Sequence, residues 1–161
     1  MSSGLPFLVI RQMVLSAVLS VWVGWLSINA ASAQSSSAEE TAYYGHWVTA
    51  AAELTNVAVI LADRSDPADV ARAQDLEASA LRLDAALKSL LQTMPPEGDA
   101  KRYLMILPNY QECASAILAL AESARRGDAL EFEIARDWYV EALDRLRGAS
   151  RQFSSSLEGF E

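Results

Sequence analysis

The sequence predicts an all-α protein, an up-down-up-down antiparallel four-helix bundle behind an N-terminal export signal. An uncharged apolar run near the start of the chain indicates the signal, and four later stretches with apolar residues at alternating steps of three and four indicate the helices. The sequence has no sustained two-residue alternation and no Asn-Gly turn, the patterns typical of strands. With 161 residues, 52% of them hydrophobic, the chain is long enough for one domain and too short for two.

The export signal is predicted at residues 1–33. An uncharged run from Met13 to Ile28 follows Arg11 and precedes an A-x-A site that ends at Ala33. A positive residue, an apolar core and such a site are the parts of a secretory signal, so we expect cleavage near Ala33 and a periplasmic or secreted protein. In the alternative, residues 5–28 are not cleaved and anchor the protein in the inner membrane, although Arg11 interrupts a run that needs about 20 apolar residues.

The charged residues exclude one class of partner and favour a bacterial origin. The formal net charge is −8, whereas nucleic-acid binders are typically basic. Among the 13 basic residues only Lys88 and Lys101 are lysines, a bias that favours a GC-rich bacterial gene and hence the periplasm. We therefore expect a protein that does not bind nucleic acid and that meets the membrane only if its N-terminal segment is uncleaved.

Four helices are predicted between a Ser-rich tether at residues 34–38 and a tail at residues 157–161, so that the bundle covers residues 39–156. In each stretch one residue per turn falls on a single helix face. Similar helix lengths and short connections favour antiparallel neighbours. From the first stretch to the fourth, the predicted core positions are Tyr44, Trp47, Ala51, Leu54, Ala58 and Leu61; Ala73, Leu76, Ala80, Leu83, Leu87, Leu90 and Met94; Tyr103, Ile106, Tyr110, Cys113, Ile117, Leu120 and Ala124; and Phe132, Ala135, Tyr139, Ala142, Leu146, Ala149 and Phe153.

Helix-breaking residues separate the four stretches. Before the second stretch, Ser65-Asp66-Pro67 predicts an N-cap at Asp66. Before the fourth stretch, Gly127-Asp128 predicts a C-terminal glycine followed at once by a new N-cap. Inside the third stretch, Pro108 either kinks one helix or begins a new one after residues 101–107. The separating groups are Ser65-Asp66-Pro67, Pro95-Pro96 and Gly127-Asp128.

The antiparallel order would bring many aromatic side chains together at one end of the bundle. In one interpretation they line a pocket for a small apolar or amphipathic ligand. In the other, which we favour, they fill the core while their hydroxyl and indole groups reach solvent. The candidate pocket residues are Tyr44, Trp47, Met94, Tyr103, Tyr110 and Phe153.

The same end holds His46, Met94 and Met105, the candidate ligands of a haem or metal, because His and Met are common axial ligands of haem. No C-x-x-C-H motif is present, so the group would be a non-covalent haem b. A single histidine and no Glu-x-x-His pair exclude multi-histidine and ferritin-like di-iron sites. We find no catalytic constellation and expect a protein that is not an enzyme and holds no cofactor.

Apolar residues outside the core positions predict a contact surface at the opposite end. Either a protein partner or a second copy covers them, or they merely widen the apolar face of each helix. Cys113 is expected to be buried, the alternative being an exposed thiol that forms an intermolecular disulfide. The predicted surface residues are Val59, Ile60, Leu118, Ile134 and Trp138, with Leu130 as a further candidate.

These observations together predict an exported, non-enzymatic helical bundle that binds a protein partner, a second copy of itself or a small ligand. The alternative function is electron transfer by a bundle that binds haem or a metal at His46 and a methionine.

Overall fold

A computed structural model describes residues 38–62, 69–96 and 98–158, with side chains up to Phe153 in the last helix. The predicted signal peptide and most of the tether therefore lie outside the described residues. Within these ranges the chain forms four helices packed against each other and no strand, as the sequence predicts. The helices are α1 (Ala38–Ala62), α2 (Val70–Gln92), α3 (Ala100–Arg126) and α4 (Ala129–Glu158).

Helix α3 is the central element of the fold. It packs closely against α2 and α4 and also approaches α1, whereas no Cα atom of α1 lies within 8 Å of a Cα atom of α4 in the described helices. A side chain of α4 nevertheless contacts α1. The buried Tyr139 hydroxyl of α4 donates a hydrogen bond to the Leu54 carbonyl oxygen of α1 at 3.2 Å.

The predicted core positions of the second, third and fourth stretches are confirmed with three exceptions. Tyr103 and Ala149 are half-buried, and Met94 is exposed. The expectation that Met94 faces the core is wrong because α2 ends at Gln92. Met94 directly precedes Pro95, and a residue before proline is pushed away from the helical conformation.

In α1 the core register begins one residue earlier than predicted. Tyr43 and Ala50 are buried, whereas Tyr44 and Ala51 are only half-buried. The two registers share Trp47 and Leu54, and each offers a tyrosine in the first turns and an alanine one turn after Trp47. The apolar pattern alone therefore could not separate them.

The helix caps agree with the sequence at one junction and differ at another. Gly127 ends α3 with a positive φ of 66°, and the Asp128 carboxylate accepts a hydrogen bond from the Glu131 N–H at 3.0 Å, as the glycine and capping signals predict. At the start of α2 the N-cap is Asp69, whose carboxylate accepts from the Ala71 N–H at 2.9 Å. The predicted cap at Asp66 lies outside the described residues, and Asp69 takes its role in the structure.

Pro108 lies inside one continuous helix, so the alternative of a separate helix at 101–107 is wrong. Its ring is exposed to solvent. Proline lacks the N–H that would bond the Leu104 carbonyl one turn earlier. The next residue donates from its side chain, since Asn109 Nδ2 bonds the Met105 carbonyl at 2.8 Å.

Cys113 is a buried free thiol in α3, which confirms the expected burial. Burial raises the pKa of this thiol to about 12, and the charge of the neighbouring Glu112 acts in the same direction. Cys113 therefore contributes to the core as a small apolar side chain. A disulfide between two chains would require this part of the core to open.

Of the helices described, α3 alone is long and apolar enough to cross a membrane by length and composition. Half of its most apolar window is buried inside the fold.

A buried carboxylate joins α1 to α2. Arg82 Nε lies 2.7 Å from Glu53 Oε1, Arg82 Nη2 lies 3.0 Å from Glu53 Oε2, and Asn56 Nδ2 donates to the same Oε2 at 3.2 Å. Burial alone would raise the pKa of Glu53, but the hydrogen bonds from Arg82 and Asn56 and the charge of Arg82 outweigh it and lower the pKa below 4.5. The ionised, paired carboxylate is the form that the fold stabilises.

Replacing Arg82 with alanine is expected to lower the free energy of unfolding at pH 7 by about 1–2 kcal/mol. The buried Glu53 carboxylate would lose its main partner, and water around the half-exposed guanidinium limits the loss. Because the folded pKa of Glu53 is below the unfolded value, its contribution is present above pH 4.5 and is lost as the pH falls through the folded pKa. Urea unfolding at pH 7 and pH 3 measures both effects, and an Arg82→Ala loss of equal size at the two pH values would contradict them.

Candidate functional site

The aromatic residues in the first turns of α1 pack against α3 inside the protein. The Trp47 ring lies 5.4 Å from the Tyr110 ring and 6.3 Å from the Tyr43 ring, both edge-on. All three side chains are buried. Such edge-to-face contacts stabilise a packed core. Trp47 and Tyr110 therefore fill the core, but the Trp47 indole N–H is buried and does not reach solvent as the sequence interpretation expected.

Other predicted pocket residues surround this cluster unevenly. Phe153 is buried, with the Arg102 guanidinium 5.5 Å from its ring centroid. Tyr44 and Tyr103 are half-buried against the core, whereas Met94 is exposed and lies outside the cluster. Sequence reasoning missed Tyr43 because it chose the other register of α1.

Among the residues that the structure describes, three buried polar atoms in and beside the cluster have no hydrogen-bond partner: the Tyr43 hydroxyl, Trp47 Nε1 and Asp99 Oδ2. Burial raises the pKa of Tyr43; the Trp47 N–H opposes this shift, and the Asp99 carboxylate adds to it, so the three groups are neighbours. Asp99 occupies the N-cap position of α3, yet its side chain makes no capping bond. All three atoms are almost inaccessible, so packed side chains and not an open pocket surround them.

The charge beside this cluster is balanced. Arg102 Nη1 lies 3.9 Å from Asp99 Oδ1, and both side chains are largely buried. Burial raises the pKa of Asp99, while the positive charge of Arg102 and the neighbouring Tyr43 hydroxyl oppose the shift. This arrangement holds a largely buried carboxylate at the start of α3.

The candidate haem or metal ligands lie on different parts of the chain and differ in exposure. His46 is half-buried in α1, Met105 is half-buried against the core, and Met94 is exposed beyond the end of α2. Within residues 38–62, 69–96 and 98–158, no three His, Cys, Asp or Glu side chains gather as they would to hold a metal ion. Haem or metal binding through these residues stays an untested prediction.

Large apolar side chains are exposed along the first turns of α4. Leu130, Ile134 and Trp138 are four residues apart and expose 73%, 61% and 37% of their surfaces. Residues four apart lie on the same side of a helix, so the three form a continuous row, called here the α4 stripe. The sequence predicted Ile134 and Trp138 as surface residues, and their regular spacing with Leu130 is the signal that identifies the row.

The tryptophan of the stripe is held in place by α3. Trp138 Nε1 donates to Glu112 Oε1 at 3.2 Å, and Arg145 Nε donates to Glu112 Oε2 at 3.0 Å. The hydrogen bonds from Arg145 and Trp138 lower the pKa of Glu112, which stays ionised as their common acceptor. The indole is therefore oriented with its polar edge satisfied and part of its ring exposed.

The other predicted surface residues lie elsewhere. Leu118 follows Glu112 by six residues, which places it about 120° around α3 from the side that meets Trp138. Val59 is exposed on α1, and Ile60 is half-buried there while its carbonyl oxygen accepts a hydrogen bond from Arg72. The five predicted residues are thus spread over three helices, and only Ile134 and Trp138 belong to one row.

The two candidate sites differ in access. The aromatic cluster is closed, whereas the α4 stripe is open to solvent and carries a tryptophan already oriented by a hydrogen bond to Glu112. No family model, curated protein or solved structure matches this chain. The exposed row is the site that a second molecule could reach without unfolding the core.

Proposed function

We propose that this chain is an exported, non-enzymatic helical bundle that binds a protein partner through the α4 stripe. The observation that carries the proposal is the exposure of Leu130, Ile134 and Trp138 in one row. A spacing of four residues is typical of anchors in helix-to-helix recognition, and tryptophan is enriched among the residues that dominate binding energy. Exposed apolar patches on a folded protein commonly mark such contacts.

The bundle that presents the stripe has an up-down-up-down antiparallel order in this proposal. Contacts between successive helices support it, because in each pair a residue near the end of one helix meets a residue near the start of the other, and Glu53 and Arg82 meet near the middle of both. The order leaves the outer edge of α4 open along its first three turns. The supporting contacts are Ile60 with Arg72 and Glu53 with Arg82, Glu77 with Arg125, and Arg126 with Glu131 together with Arg102 with Phe153.

Export is the second part of the proposal, and it rests on the signal pattern at residues 1–33. The intact mass of the protein purified from its host should correspond to a chain that begins at Gln34. A mass that includes residues 1–33, recovered from the membrane fraction, would support the uncleaved anchor instead. A full-length mass recovered from the cytoplasm would contradict export.

Replacing Ile134 with glutamate is expected to disrupt the complex without disrupting the fold. A charge in the middle of the stripe would have to be desolvated in the interface, whereas in the free protein it stays in water. Size-exclusion chromatography of host extracts should show the native chain in a species larger than a monomer and the variant at monomer size. Circular dichroism should be the same for both.

Leu118→Glu is the matched control, since Leu118 is also exposed but lies on another side of α3. It should elute with the native chain. Elution of Ile134→Glu with the native chain would contradict the proposed role of the stripe.

A further inference from the structure

We propose that the partner of the α4 stripe is a cationic amphipathic helix, a polypeptide segment with an apolar face bordered by Lys or Arg. This inference rests on the proposed function and specifies the chemistry of its partner. Two features of α4 support it independently: the shape of the apolar row and the sign of the charge beside it.

The apolar row fits a helix better than an extended peptide. Leu130, Ile134 and Trp138 advance one helical turn at a time, so a second helix can place its own apolar residues between them, ridge into groove. The indole N–H of Trp138 donates to Glu112, and this hydrogen bond orients the ring. A partner therefore meets a tryptophan whose conformational entropy is already reduced, which lowers the cost of binding.

The charge exposed beside the row is acidic. The side chains of Asp137 and Glu141 are 74% and 71% exposed, whereas those of Arg136 and Arg145, the arginines with which they pair, are 29% and 46% exposed. Each of these two carboxylates is thus more exposed than the arginine beside it, so the outermost charge next to the row is acidic. By helical position, Asp137 borders Ile134, and Glu141 lies one turn further along the helix, beside Trp138.

The same charges argue against two other occupants. In a dimer formed by stripe against stripe, the carboxylates of both copies would be brought together, and each chain carries a net charge of −8. An anionic membrane surface would be repelled in the same way. A cationic helix instead gains from the acidic border in both encounter rate and specificity.

The test uses the full exported chain and two synthetic helical peptides with the same leucine face. One peptide carries lysines beside the leucines, and its twin carries glutamates. Fluorescence anisotropy of the labelled peptides measures the Kd. We expect the lysine peptide to bind, with an affinity that falls as salt rises, and the glutamate peptide to bind at least about tenfold more weakly.

Two double variants, each of which removes two negative charges, distinguish attraction by the carboxylates beside the stripe from attraction by the overall negative charge. Asp137→Asn with Glu141→Gln should weaken binding of the lysine peptide roughly tenfold, the effect of losing two surface ion pairs. Asp75→Asn with Asp84→Asn, which removes two carboxylates from α2, should leave the Kd within about twofold. Equal weakening by both variants, or equal binding of the two peptides, would overturn the cationic partner.

Ile134→Ser distinguishes this inference from the proposed function itself. If Ile134→Ser weakens binding while the α4 charge variant does not, the stripe binds a partner and the cationic chemistry is wrong. If neither variant changes the Kd of the lysine peptide, the site on α4 is wrong. A dimer in sedimentation experiments that Ile134→Ser dissociates would replace the cationic helix with a second copy of this chain.

Discussion

Replacing Trp47 with alanine is expected to lower the free energy of unfolding by about 3–5 kcal/mol, the range for large buried aromatic side chains. Trp47 is almost completely buried, and the rings of Tyr43 and Tyr110 pack edge-on against it at 6.3 and 5.4 Å. The substitution would leave a cavity where α1 meets α3. Urea unfolding followed by circular dichroism measures the loss.

The control for Trp47 is the same substitution at Trp138, where 37% of the residue surface is exposed and the ring lies at the surface of α4. We expect Trp138→Ala to cost less, about 1–2 kcal/mol, because it removes one hydrogen bond to Glu112 and only part of a buried ring. Similar costs for the two tryptophans would contradict the difference in burial on which both sites depend.

Replacing Leu120 with alanine is expected to cost about 2–5 kcal/mol. Leu120 is completely buried in α3, the helix that approaches each of the other three. Removing its side chain should therefore weaken the core at the centre of the fold. Thermal or urea unfolding of the variant, compared with the native chain, measures this effect.

Leu104 provides the matched control because it is a leucine of the same helix with an exposed side chain. Leu104→Ala should change the free energy of unfolding by no more than about 0.5 kcal/mol. An equal loss in the two variants would mean that α3 does not occupy the centre of the bundle.

The helices could be predicted from the sequence where only one apolar register is available. In α3, Ile106, Tyr110 and Cys113 have no equally apolar set of neighbours one residue away, and the predicted positions are buried. In α1 the sequence offers Tyr43 beside Tyr44 and Ala50 beside Ala51. Periodicity cannot separate two such registers, and tertiary contacts decide between them.

The ends of the helices are determined by individual residues and not by the apolar pattern. Gly127 was predictable because a C-terminal glycine with a positive φ has a specific function in ending a helix. Met94 continued the periodic pattern of α2, yet the proline after it prevents a helical conformation. At this position the proline determines the conformation, and the apolar spacing does not.

The candidate site was predictable residue by residue but not as a surface. Departure from the core pattern identified Ile134, Trp138 and Leu118 as exposed, and all three are exposed. Whether Leu118 of α3 lies on the same surface as Ile134 and Trp138 of α4 depends on the rotation of α3 about its axis relative to α4. The contact from Trp138 to Glu112 provides that rotation, and it separates Leu118 from the stripe.

The most direct test of partner binding by the α4 stripe is site-specific photo-crosslinking in the living host. A photoreactive amino acid in place of Ile134 should give one discrete adduct on irradiation, and the same amino acid in place of Leu118 should give none. Without an adduct at position 134, or with the same products at both positions, the α4 stripe would not be the surface through which this protein binds its partner.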